Sequence, residues 1–218
     1  MLPKIYKCKH FYPFSMKETR NKYEKPISIF RKHDGILRTG EAITAGIHPR
    51  TLYAMRDEGI VEVLSRGVYR LSELRPMDDP DLVSVTLRIP KGVVCLISAL
   101  AFYEITTQIP HEVYIAIDRH SRPPKVDFPP IRIFRFTGEA YKSGIETYET
   151  EGVQIKVYCP EKTIADCFKY RNKIGLDVAL EALKLYREGI GFKIDDLMHF
   201  ARVCRVEKVM RPYLEAII

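Results

Sequence analysis

Apolar positions along this chain recur at two periods, and the change of period marks its elements. Around residues 26–34 (PISIFRKHD), Tyr23, Ile27 and Phe30 fall at i, i+4 and i+7, the spacing of one buried helix face. Pro26 suits the first position of that helix, where its missing N–H costs little. The next stretch, ILRTGEAITAGIHPRTLYAMRDEG, holds two further short helices. Thr39 is expected to cap the first, which runs to about Ala45. Gly46 then supplies the left-handed turn. Pro49 opens the second, which continues to about Glu58 before Gly59 ends it.

Two short helices joined through a glycine turn outline a helix-turn-helix. The side chains around the turn support it. Ala42 sits four residues before Gly46, where a small residue lets the helices cross closely. Ile47 follows as the apolar plug of the turn, and Leu52 directs the inner face of the second helix to the core. Residues 60–71 (IVEVLSRGVYRL) then read as two β-branched strands around Leu64-Ser65-Arg66-Gly67, a hairpin of the right size for a wing. The order is that of a winged helix-turn-helix.

In such a domain the second helix of the pair enters the DNA major groove. Leu52 and Met55 are expected to face inward, and His48, Arg50, Thr51, Tyr53 and Ala54 outward, with Arg56 further along. Arg50 is the candidate for a base contact, because a guanidinium bonds a guanine edge bidentately. Tyr53 and Arg56 suit phosphate, and Arg66 at the wing tip suits the backbone or minor groove. Asp57 and Glu58 should face away from DNA.

The remainder reads as strands followed by helices without strict βαβ alternation, hence an α+β domain. Asp79 caps a helix from Pro80 to about Arg88, Val93–Leu96 is a short strand, and Ser98 caps a helix through Phe102. Residues 112–118 and 131–136 read as strands around an irregular loop with two Pro-Pro pairs. Its basic cluster of Arg119, His120, Arg122 and Lys125 reads as a solvated loop, with a contact surface for an acidic or nucleic-acid partner as the alternative. Strands near Ile145–Tyr148 and Val153–Tyr158 form a hairpin around Glu151-Gly152. Helices follow at PEKTIADCFKYR from Pro160, at 176–188, at 195–204 capped near Asp195, and at about 206–217, where Pro212 predicts a kink or break.

Composition changes this picture in one respect. The chain has 218 residues, 46% hydrophobic and 29% charged, with a formal charge of +7. Residues 1–33 hold nine Lys/Arg against two Glu, a net +7, whereas 34–79 hold six against eight, a net −2. Bulk charge therefore does not mark the helix-turn-helix, and a few placed arginines must do the reading. The basic residues 1–25 form an arm, followed by the winged domain at 26–78 and the α+β domain at 79–218. Met16 opens MKETRNKYEKPISIF, a normal beginning for a helical domain, and some or all of the native protein is expected to begin there. Mass spectrometry should then find no native N-terminal peptide upstream of Met16, and finding one would end the idea.

Five cysteines are widely spaced, with no CxxC, and no signal segment precedes them, which points to reduced thiols in the cytoplasm. Cys95, Cys159 and Cys167 read as small core fillers. No run reaches the roughly 20 apolar residues a membrane span needs. There is no HxxxH or HExxH, no glycine-rich phosphate loop and no GxSxG, so neither metal, cofactor nor catalysis is expected. Glu161, Lys162 and Asp166 on one helix read as surface charges.

Taken together, RGVY in the wing (Arg66–Tyr69), SAL opening a helix (Ser98–Leu100), a strand, a Pro-rich loop, a second strand and PEKTIADC (Pro160–Cys167) resemble the AbiEi antitoxins of type IV toxin–antitoxin systems. The resemblance covers about residues 26–205. It implies a winged helix-turn-helix that binds inverted repeats in the promoter and represses its own operon. It also implies an antitoxin domain acting against a cognate AbiEii-type nucleotidyltransferase toxin, without stable toxin binding. The rival reading is a one-component regulator whose C-terminal domain senses a small ligand, which requires a concave apolar pocket with convergent polar groups.

Overall fold

The computed structural model describes residues 22–75, 79–150, 152–189 and 191–217. Residues 1–21, which hold most of the basic arm, Cys8 and the start expected at Met16, lie outside the described residues. The chain divides into two compact units, residues up to 63 with 67–74, and residues 64–66 with 75 onward. The whole is mixed α+β, as the sequence pattern predicts.

The N-terminal elements are α1 (Glu24–Arg31), β1 (Ile36–Arg38), α2 (Thr39–Thr44), α3 (Pro49–Asp57), β2 (Val61–Ser65) and β3 (Val68–Leu71), with strand order β1-β3-β2. Tyr23, Ile27 and Phe30 are buried together with Leu37, Ala42, Ile47, Leu52 and Met55. Pro26 is the third residue of α1, not the first. β1 has no counterpart in the sequence reading. Three residues are too few to display a period of two, and the strand exists because it pairs antiparallel with β3, Leu37 opposite Tyr69. Arg38 stands at the cap position of α2 in place of Thr39, and its N–H donates to Glu41 Oε2 at 2.8 Å.

The second unit begins with α4 (Pro80–Arg88), β4 (Val93–Val94), α5 (Leu96–Phe102), β5 (Val113–Asp118), β6 (Ile131–Phe136) and α6 (Glu139–Lys142). It continues with β7 (Ile145–Thr150), β8 (Val153–Tyr158), α7 (Pro160–Lys169), α8 (Arg171–Ile174), α9 (Leu176–Glu188), α10 (Ile194–Val203) and α11 (Glu207–Ile217). Its sheet has the order β6-β5-β4-β8-β7. β5 pairs parallel with β6 and β4 parallel with β8, while β4–β5 and β7–β8 are antiparallel.

Three local expectations are corrected here. The strand at 93–96 is only Val93–Val94, because Leu96 already opens α5. Ser98 therefore lies inside α5, where its Oγ accepts from Tyr114 N–H at 2.9 Å and ties the helix to β5. The cap residue of α10 is Lys193, two residues before Asp195, which lies in the first turn. Pro212 sits inside a helix that runs unbroken from Glu207 to Ile217.

Glu161, Lys162 and Asp166 of PEKTIADC are core residues, not surface charges. α7 packs against α5, α9, α10 and α11, so every residue from Glu161 to Phe168 is buried. Lys162 and Asp166 are 0% exposed. The Lys162 ammonium lies 4.9 Å from the Phe136 ring centre and 4.2 Å from that of Tyr158, and donates to Asp166 Oδ2 at 2.5 Å. The second oxygen of Asp166 accepts from Cys204 Sγ at 3.1 Å. Glu161 accepts from the Tyr186 hydroxyl at 2.5 Å. Burial pushes the Asp166 carboxyl up, against the pull of Lys162. These are core charges satisfied by one another and by aromatic faces. Cys95, Cys159 and Cys167 are buried, as is Cys204.

Candidate nucleic-acid interface

The turn between α2 and α3 follows from its sequence. Gly46 has φ +98°, a conformation L side chains rarely adopt. Its N–H donates to Ile43 O at 3.0 Å and that of Ile47 to Ala42 O at 2.9 Å, the paired closure that ends a helix at glycine. Ala42, Ile47 and Leu52 are all buried. The same closure recurs after α3, where Gly59 N–H reaches Arg56 O and Ile60 N–H reaches Met55 O.

Leu52 and Met55 fill the inner side of α3, and His48, Arg50, Tyr53 and Arg56 are exposed on it. Thr51 and Ala54 are half-buried. His48 holds the cap position, and its Nδ1 accepts from Arg50 N–H at 3.2 Å. A neutral imidazole that accepts at Nδ1 carries its proton on Nε2, which is left free to donate. Arg50 makes no ion pair among the described residues. The Arg56 guanidinium stands 5.3 Å from the Tyr53 ring centre and is held by Asp57 at 2.7 Å. A phosphate reaching Arg56 would compete with that neighbouring carboxylate. Glu58 accepts from the Tyr23 hydroxyl at 2.6 Å and from Lys22 at 3.0 Å, and the two hold it below the ordinary carboxylate range.

The wing is tighter than the sequence reading had it. Leu64 and Ser65 belong to β2, and the turn is Arg66-Gly67 alone. Gly67 has φ +76°. Its carbonyl accepts both the N–H of Thr39 at 2.8 Å and the Thr39 hydroxyl at 3.2 Å. Thr39, assigned to a cap by the sequence pattern, instead anchors the wing turn to the start of α2. No local signal reveals such a link, because its partners are 28 residues apart. Arg66 is exposed at that turn. Exposed apolar side chains also accompany the helix pair, with Ile43 on α2 44% and Val63 on β2 50% accessible.

Among the described residues no group of His, Cys, Asp or Glu could hold a metal ion, and no helix is long and apolar enough to cross a membrane. Residues 24–72 match the model of a family described as a transcriptional regulator, AbiEi antitoxin. The matched span runs from the first residue of α1 to just past the end of β3. No curated protein matches the chain.

Proposed function

We propose that this chain is the antitoxin of a type IV toxin–antitoxin pair and represses the operon that encodes it by binding inverted repeats in the promoter. The observation that carries this reading is the buried Ala42–Ile47–Leu52 turn, with the wing strapped to α2 through Thr39 and Gly67, inside the span matched to the regulator family. Arg50 reads a base from the major groove. His48, Thr51, Tyr53 and Arg56 position the helix on the backbone, and Arg66 reaches the backbone or minor groove. The arm at 1–25 adds sequence-independent attraction to phosphates. The α+β domain, 79–218, opposes a nucleotidyltransferase toxin of AbiEii type.

Co-expression tests the division of labour. The chain should restore growth to cells expressing the neighbouring nucleotidyltransferase. The Arg50→Ala/Arg66→Ala variant should restore growth equally while failing to repress a promoter fusion. Loss of rescue and repression together in a folded variant would contradict the reading.

One observation favours a ligand-sensing regulator as the second reading. The second unit has an open groove of about 320 Å³ lined by Ile97, Ile109, Pro110 and Pro130, with Gln108, His111, Glu112 and Tyr114 as polar groups. A nucleotidyltransferase gene beside this one supports the first reading, and its absence supports the second.

A further inference from the structure

The five-stranded sheet ends in two edge strands, β6 and β7, that differ in the sign of their charge and in backbone capping. In β6, Arg132 and Arg135 interrupt the apolar run. Val113 N–H donates to Pro130 O and Arg119 N–H to Phe136 O, so the even-numbered residues of β6 face β5 and Arg135 faces outward. Its carbonyl is taken up by the Tyr170 hydroxyl at 3.2 Å. Charged residues and capped backbone are how an edge is kept from recruiting another chain.

β7 differs: both its charges are acidic, which disfavours another acidic edge but not a cationic strand. Cys159 N–H donates to Gly144 O at 2.7 Å, and the register sets Glu146 opposite Val157 and Tyr148 opposite Ile155. Antiparallel alternation then turns the backbone of Glu146 and Tyr148 toward β8 and that of Ile145, Thr147 and Glu149 outward. Among the described residues no hydrogen bond takes up those outward groups. The strand is six residues long and contains neither Pro nor Lys.

Its charge is equally distinctive in a basic chain. Glu146 and Glu149 lie on opposite faces of β7, with no Lys or Arg in the strand. On the Glu146 face the carboxylate is fixed in place, since Oε2 accepts from Tyr103 at 2.9 Å and from Tyr148 at 2.5 Å. Phe102, Tyr103 and Tyr148 form a contiguous aromatic cluster beside it, Phe102 and Tyr148 being 4.9 Å apart. A guanidinium arriving here meets a held carboxylate and tyrosine rings.

We propose that β7 is a docking edge for a cationic, extended polypeptide segment of a partner protein, which joins the sheet as a sixth strand. Backbone pairing supplies affinity, and Glu146 and Glu149 select for basic side chains on both faces of the incoming strand. Self-pairing of β7 between two copies would bring like charges together. This inference concerns the second unit alone and goes beyond DNA reading.

The test uses the full chain and a fluorescein-labelled decapeptide with Arg at every third position among Thr and Val, which places Arg on both faces of an extended strand, beside its Glu-for-Arg counterpart. Anisotropy should show binding of the Arg peptide only, and amide exchange should slow at Ile145, Thr147 and Glu149. Thr147→Pro removes one outward N–H at a position where an edge tolerates proline. It should weaken binding by about tenfold or more, as should the Glu146→Gln/Glu149→Gln variant, which preserves shape. If Thr147→Pro fails to fold, the Gln variant decides. No binding of the Arg peptide, equal binding by the folded variants, protection elsewhere on the chain, or self-association through β7 would overturn the proposal.

Discussion

Replacing Asp166 by alanine is expected to destabilise the second unit by about 3–5 kcal/mol, because removing one partner of a buried pair leaves an uncompensated charge in the core. The loss is large against the roughly 5–15 kcal/mol that holds an ordinary domain together. Lys162 has no exposed surface through which water could replace its partner. The aromatic faces of Phe136 and Tyr158 remain, but a ring quadrupole offsets only part of a full charge. Removing both charges has a different result. In Lys162→Met/Asp166→Leu a flexible apolar chain lies between the same two rings, and such replacements are often neutral or stabilising. Denaturant titration of the two variants checks this. The single variant should lose about 3–5 kcal/mol, and the double variant should stand close to the wild type. A single variant shifted by no more than about 0.5 kcal/mol, the range of surface substitutions, would contradict the buried arrangement.

The second large effect lies in DNA reading. If Arg50 makes the proposed bidentate base contact, Arg50→Ala should weaken operator binding by about 1–3 kcal/mol, which corresponds to roughly 5- to 150-fold. Arg50→Lys should recover little of it, since a point charge does not reproduce the guanidinium fork. Arg66→Ala should weaken binding to any sequence alike and lower the salt dependence by about one unit of slope. Arg50 is exposed without an ion pair among the described residues, so no internal partner is lost when it is truncated. Arg56 differs. Asp57 already holds its guanidinium, and part of what Arg56 gains from a phosphate offsets that lost pair. Its truncation should cost less than that of Arg50.

Where sequence and structure agree, the signal was local. Ala42, Gly46, Ile47 and Leu52 lie within eleven residues, and each has its own physical requirement: small size, left-handed backbone, or burial. The Tyr23–Ile27–Phe30 face of α1 and the Val153–Tyr158 strand were legible for the same reason. What escaped depends on partners distant in the chain. β1 is a strand because β3 lies beside it. Thr39 reaches Gly67, and Ser98 receives the Tyr114 amide, in place of capping helices. Charge misled most in α7. Glu161, Lys162 and Asp166 look like a solvated face until the helix is seen surrounded on every side. A lysine and an aspartate at i, i+4 compose a neutral pair, and only the surrounding fold tells a core pair from a surface one.

The central claim is that a few placed arginines on a winged helix-turn-helix recognise the promoter. The most direct check is a titration of the chain's own promoter DNA, and of a scrambled duplex of equal length, with wild type, Arg50→Ala and Arg66→Ala at fixed salt. The expected result is tight wild-type binding that distinguishes the two duplexes. Arg50→Ala should lose most of that discrimination, and Arg66→Ala should bind both duplexes more weakly while keeping the ratio. Wild-type affinities equal for both duplexes, or both variants binding the promoter as the wild type does, would contradict it.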